Sequence, residues 1–327
     1  MLKIGYINWW GGFDFENNFF IKFIREYIDP DTIFTNDCSE INILIAGVFG
    51  EPKKLHEKVD ACSKSNNLRC IIFTTGENTE IPEKIHARYS DYQLSLVDLS
   101  LGFKLFEGNP KNLRFPLWLL SYSLDTTNLG LVDTKFNVLD GLTLKQYIKK
   151  SGMNKTKFCG VLHNHPGERG YRNNIFDILK KVNIEVDAPG KFRKNVGYSI
   201  LQTDENNRTQ SKIDWLKDYR FNMCGENTLG EGYVTEKIFD CLIGGCIPVY
   251  YGPKLTEPDI LNQNLIVNIE TIPEWTTGGL EARIRYIEEN YEEFIDQPIF
   301  VEGGLDRIRK YYTDLEKKLK NILQANK

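Results

Sequence analysis

The sequence predicts an α/β protein made of two parallel-sheet domains. Three observations carry this reading. At 327 residues the chain is long enough for two domains, each with its own core. Its first half alternates short apolar β-type runs with helical or turn-rich segments, the punctuation of βαβ units. A second series of such elements follows the charged stretch "LTLKQYIKKSGMNKTK", whose Gly152 and polar composition place a linker there. Two such halves facing one another would form a cleft, the usual ligand site of this architecture.

In chain order, the strands expected of the first half are "KIGYIN" from Lys3, "INILIAGVFG" from Ile41, "RCIIFTTGEN" from Arg69 and "DYQLSLVDLS" from Asp91. Between the second and third lies the polar, helix-prone "EPKKLHEKVDACSKSNN". The second half opens with the strand "FCGVLHN", continues through a helix from Arg172 to Val182, and returns to strands at "RFNMCGEN", "CIPVYYG" and "NLIVNIE". A helix is well signalled between Tyr233 and Gly245. From Gly304 the tail "LDRIRKYYTDLEKKLKNILQ" reads as a long amphipathic helix, apolar on one face and basic on the other. Packing across both domains is its simplest use; contact with a membrane surface is the weaker reading, because its acidic residues dilute the charge. The domains expected are therefore 1–150, 151–303 and a C-terminal helix over 304–327.

With 41% apolar residues and a net charge of -4, the chain sits in the ordinary globular range, and its charge implies no nucleic-acid partner. The start shows no basic region leading into a long apolar run, and no apolar run approaches the roughly 20 residues a membrane span needs. A cytoplasmic protein, with peripheral membrane contact at most, is the expectation. The seven cysteines are odd in number, scattered and mostly set in apolar segments, which favours buried free thiols over disulfides. No spacing of cysteine and histidine offers a zinc site. The Asp29-Pro30-Asp31 triplet has the letters of a cation-binding pair, but it follows a helical pattern and Pro30 suits a turn, so no metal site is expected.

The most informative stretch is "NMCGENTLGEGYVTEKIFDCLIGGCIPVYYG", Asn222 to Gly252. At about 100° per residue, Val234, Ile238, Cys241, Leu242 and Gly245 share one side of the expected helix, with Tyr233, Glu236, Lys237 and Asp240 on the other. Lys237 in the first turn would sit beside free backbone N–H groups, a favourable place for a diphosphate. Upstream, "FNMC" ends in Gly225, Glu226 and Asn227, small or polar residues at the carboxyl end of a strand, where open α/β sheets bind ligands. Neither a G-x-x-x-x-G-K-[ST] nor a G-x-G-x-x-G spacing is present, so a sugar nucleotide is a better expectation than ATP or NAD.

These residues resemble the α-1,3-fucosyltransferases, particularly the bacterial enzymes of Lewis-antigen synthesis that act on lipopolysaccharide-type glycans. "CGENTLGEGYVTEKIFDCLIGGCIPVYYG" is similar to that family's donor-binding signature, and "INWWGG", "TGEN", "LRFPLW" and "FRKNVGY" fall in the family's order. Gly225 stands where the family usually carries phenylalanine, and Glu231 where bacterial relatives often carry an aromatic residue. The resemblance implies a GT-B fold of two Rossmann-like domains facing a cleft, the first holding the acceptor and the second GDP-fucose. It implies an inverting transfer of L-fucose to O3 of N-acetylglucosamine in N-acetyllactosamine-type glycans, with no obligatory metal. Position by position, it makes Glu77 the general base, Arg193 the phosphate-binding arginine, and Asn227, Tyr233, Glu236 and Lys237 donor-site residues.

Such a transfer needs a base on the acceptor side and positive charge at the diphosphate. Glu77 would project from a strand end into the cleft, while Lys237 and Arg193 would supply the charge, the latter as a bidentate partner of phosphate oxygens. Tyr233 would stack on or hydrogen-bond to the sugar, Glu236 and Asn227 would meet sugar hydroxyls, and Arg172 would either reach the donor or form a structural salt bridge. Trp9 and Trp10 offer a platform for an acceptor sugar or a plug at a domain interface. A GT-B transferase with another donor, or a sugar-binding protein without catalysis, is the rival reading.

Overall fold

The computed structural model describes residues 1–122, 136–200 and 205–326, the side chains of 205–209 excepted. Two compact units emerge, one of Met1–Val132 with Ile308–Lys327 and one of Asp133–Arg307. Each carries one parallel sheet, as the two-domain α/β reading of the sequence predicts.

In the first unit, β1 (Lys3–Ile7), β2 (Ile33–Phe34), β3 (Ile43–Ala46), β4 (Cys70–Thr74), β5 (Leu99–Gly102) and β6 (Asn112–Arg114) form a sheet of order β2-β1-β3-β4-β5-β6. All its pairings are parallel. Helices α1 (Phe19–Tyr27), α2 (Pro52–Ser63) and α3 (Leu117–Tyr122) belong to the same unit. Asn18 caps α1 by accepting from the N–H groups of Phe20 and Ile21, and α2 begins on Pro52, where no N–H is needed. β3 is buried along its whole length because both its faces are covered, which is why its segment reads as an unbroken apolar run.

The second unit begins with α4 (Leu144–Lys150) and then alternates β7 (Lys157–Val161), α5 (Tyr171–Val182), β8 (Val186–Asp187), α6 (Glu205–Leu216), β9 (Tyr219–Met223), α7 (Lys237–Ile243), β10 (Ile247–Tyr250) and β11 (Val267–Asn268). Its sheet has the order β11-β10-β9-β7-β8, again all parallel. Helices α8 (Leu280–Glu289) and α9 (Tyr291–Phe294) follow, then α10 (Gly304–Ala325), whose residues from Ile308 onward belong to the first unit.

Two expectations are corrected here. The segment expected as a linker is α4, with a capping box between Thr143 and Gln146. Leu144 and Tyr147 are buried, and the Tyr147 hydroxyl donates to the Ile243 carbonyl at 2.8 Å, so the division of the chain falls at 132/133 rather than at 150/151. The tail is not a separate element after 303: its first turn lies in the second unit, and in the first unit the Tyr312 hydroxyl donates to the Leu119 carbonyl at 2.7 Å. The Asp29–Asp31 turn is as expected, with Asp29 accepting from the Leu2 and Asp31 N–H groups.

Candidate active site

Both sheets have a point where the strand order reverses, between β1 and β3 in the first unit and between β7 and β9 in the second. Loops leaving the carboxyl ends of such neighbouring strands diverge, and the gap is where open α/β sheets hold ligands.

In the first unit this point is walled by aromatic rings. Asn8, at the end of β1, adopts a positive φ of 59° and donates to the Glu51 carbonyl and the Tyr89 hydroxyl. A Cβ at Gly50 would lie 2.0 Å from its side-chain oxygen, so only glycine lets the loop after β3 come this close. Trp9 is pinned by a 3.1 Å bond from its Nε1 to the Ile45 carbonyl and stacks on Phe13. Trp10 is exposed and meets Phe49 edge-on, and Phe49 meets His86 in the same way. Of the two tryptophans expected as a platform, Trp10 is thus the more exposed. Glu77 follows the neighbouring strand β4 by three residues. Its N–H donates to the Thr75 Oγ1 at 3.1 Å, and that hydroxyl donates to the Glu77 carbonyl at 2.9 Å, which fixes the turn and leaves the side chain half-buried.

In the second unit the reversal point is filled with charge. Glu226 is 0% exposed and its carboxylate accepts at both oxygens. Oε1 takes the Thr235 N–H at 2.8 Å and the Tyr250 hydroxyl at 2.9 Å, while Oε2 takes the Thr235 hydroxyl at 2.7 Å. Lys237 Nζ lies 3.3 Å from the same Oε2, 2.8 Å from the Thr235 Oγ1 and 3.4 Å from Glu236 Oε1. Burial works against the Lys237 charge, but Glu236 and Glu226 outweigh it and hold the ammonium well above its ordinary value. Burial likewise opposes ionised Glu236, and the Lys237 and Lys212 ammonium groups outweigh it, so its carboxyl sits below the ordinary range.

Arg172, only 1% exposed, holds the preceding corner. Its guanidinium donates to the carbonyls of Gly225, Glu226 and His165 and to the Asn227 Oδ1, all between 2.8 and 3.1 Å. Among the described residues it has no ion-pair partner: carbonyl dipoles compensate its charge and the strand end is fixed in return. The Tyr171 hydroxyl donates to the Glu226 carbonyl, and its ring lies 3.9 Å from that of Tyr251.

This ring pair explains the departure at Gly225. A Cβ there would stand 2.9 Å from the Tyr251 Cβ and 3.1 Å from the Tyr171 oxygen, so two tyrosines occupy the space a phenylalanine would need. Gly225→Phe is accordingly expected to cost about 1–3 kcal/mol of stability through overpacking. Urea unfolding would measure it, and pairing the substitution with Tyr171→Ala should return part of the loss.

The structure brings Asn227, Tyr233, Glu236 and Lys237 into one neighbourhood, with Tyr233 close enough to act electrostatically on Lys237. Tyr233 is buried rather than presented as a stacking face. Arg193 is held elsewhere, by an ion pair to Asp177 of α5 and a ring contact to Phe176 at 5.0 Å. The helix expected from Tyr233 begins at Lys237, after a turn whose Thr235 N–H is bound by the Glu226 carboxylate. Asp240, expected on the polar face, is buried against Lys212 at 2.9 Å. Glu226, expected only as one of the small or polar residues that end a strand, is not among the expected donor-site residues, because its partners follow it at a distance in the chain. Among the described residues no group of three or more His, Cys, Asp or Glu is placed to hold a metal ion, and no helix is long and apolar enough to cross a membrane.

Comparison with known proteins shows what the chain is similar to. Residues 152–296 match the model of the glycosyltransferase family 10 (fucosyltransferase) C-terminal domain. The chain is 29% identical over 313 residues to an alpha-(1,3)-fucosyltransferase FucT of Helicobacter pylori, covering 90% of this chain and 59% of that one. It spans less than two thirds of the length of the curated relatives it matches. Among solved structures it is similar in fold to an alpha1,3-fucosyltransferase, with a TM-score of 0.65 at 23% identity over 97% of this chain and 90% of that one. The same holds for an alpha1,3-fucosyltransferase with GDP-fucose, with a TM-score of 0.63 at 22% identity over 96% and 90% of the two chains. Through residues 152–296 the chain is similar to glycosyltransferase family 10, the fucosyltransferase family.

Proposed function

We propose that the protein is an inverting α-1,3-fucosyltransferase that moves L-fucose from GDP-fucose to O3 of N-acetylglucosamine in an N-acetyllactosamine-type glycan. The observation that carries this reading is Lys237: a lysine only 14% exposed, kept cationic by two carboxylates at the strand-order reversal of the second sheet. A compact ammonium there suits a diphosphate, whose negative charge grows as the bond to fucose C1 breaks. Glu77, on the first unit, is the base: it takes the proton from the acceptor hydroxyl as that oxygen bonds to C1 and GDP departs from the opposite face. Inversion at C1 follows from this single displacement.

Lysine carries the countercharge, so the reaction runs without a divalent cation. Arg193 adds to it only by exchanging Asp177 for a phosphate oxygen. Trp10 and Phe49 offer exposed rings for an acceptor sugar, Phe49 after the strand that adjoins that of Glu77 and Trp10 after the next one. The acceptor is a Lewis-type precursor of lipopolysaccharide, handled at the cytoplasmic side of a membrane.

The test is GDP release from GDP-fucose, with and without N-acetyllactosamine, in the presence of a chelator. Acceptor-dependent release under these conditions is expected. Release abolished by the chelator would overturn the metal-free reading. Donor binding by calorimetry without release under any acceptor would favour a sugar-nucleotide-binding protein instead.

A further inference from the structure

We infer that Glu226 is a positioning residue of the donor site, a buried anion that sets where the Lys237 ammonium stands and folds the Thr228–Glu236 loop over it; this rests on the donor reading above.

The carboxylate has no exposure to solvent, so its cost must be met by partners at hand. Those partners come from two separate stretches of chain: Thr235 by N–H and hydroxyl with Lys237 just after it by charge, and Tyr250 of β10 by hydroxyl. The Thr235 hydroxyl donates to Glu226 and accepts from Lys237, so it transmits the position of the carboxylate to the ammonium. Glu226 itself is fixed from behind, since its carbonyl accepts from Arg172 and Tyr171 and its N–H donates to the Tyr251 carbonyl at 2.7 Å.

That last bond continues the β9–β10 pairing beyond the ends of the strands, so the anion stands on the sheet and not on a mobile loop. Removing its charge while keeping its shape leaves Lys237 to Glu236 alone, on a side chain with more freedom to turn away.

The test is a double-mutant cycle read by calorimetric GDP affinity, with Glu226→Gln, Lys237→Ala and the pair. Glu226→Gln is expected to weaken GDP about 10- to 100-fold, the worth of a hydrogen bond to a charged group. In the Lys237→Ala background the same substitution is expected to change affinity by less than about threefold, because a group acting through the lysine has nothing left to act on. Equal effects in both backgrounds would overturn the inference, since general damage to the fold adds independently. Should Glu226→Gln fail to fold, Thr235→Val in the same cycle removes the hydroxyl that joins the two groups, and the same non-additivity is expected. Native protein that binds no GDP would overturn the donor reading itself, whereas native binding with an additive cycle would overturn only the role of Glu226.

Discussion

Glu77→Gln is expected to leave GDP-fucose affinity within about twofold of native while lowering acceptor-dependent GDP release by roughly 100- to 10,000-fold, the range a general base supplies. Glutamine keeps the size of the side chain and an oxygen that accepts hydrogen bonds, but it cannot take the acceptor proton. The turn that carries residue 77 is held through backbone atoms and the Thr75 hydroxyl, so the substitution leaves that turn in place. Single-turnover rates with saturating donor separate the two effects: the loss belongs in the chemical step and not in donor binding. Equal weakening of donor affinity and rate would instead mean that Glu77 helps to hold the donor, and native turnover would move the base to another residue.

How much of this was legible in the sequence differs from element to element. β3, β4 and β10 announce themselves because a parallel strand covered on both faces needs a near-unbroken apolar run, and β1, β7 and β9 stay legible although Lys3, Lys157, Arg220 and Asn222 interrupt theirs. β2 and β8 are two residues each, too short for any periodicity to register, whereas β11, equally short, lies inside the expected "NLIVNIE" run. The strand expected from Asp91 begins only at Leu99, since residues ahead of it form turns, with Tyr92 and Gln93 at positive φ. α4 was hidden by its own surface: lysines and a glutamine cover it, and only Leu144 and Tyr147 reach the core. In the site, Glu236 and Lys237 could be read from their place at the head of an apolar helix. Glu226 could not, because its partners lie nine and 24 residues further along and only the fold brings them to it.

Lys237→Ala is expected to act twice, on the donor and on the fold. Truncating a buried, hydrogen-bonded cation that meets a diphosphate should weaken GDP-fucose by about 2–4 kcal/mol, roughly 30- to 1000-fold. It also leaves the Glu226 carboxylate in a site without exposure and Glu236 beside it, and removing one partner of a buried ionic set costs about 3–5 kcal/mol of stability. The pH dependence identifies the second effect. In the native protein the Glu236 carboxyl lies below its ordinary value of 4.5, so its contribution is present above that value and is lost as pH falls through the lower folded one. The Lys237 ammonium lies above its ordinary 10.5, so its contribution is present below that value and is lost only as pH rises through the higher folded one. Both contributions therefore hold across the neutral range, and this pair adds no slope to native stability there. Without the lysine, burial of Glu236 is opposed only by Lys212 and a backbone hydrogen bond, and its carboxyl moves upward. The variant should then gain stability as pH falls from 7 toward 5, where the native protein gains none from this pair. Urea midpoints of the two proteins at pH 5, 6, 7 and 8 measure this, and parallel curves would mean that the lysine does not hold the carboxylate ionised.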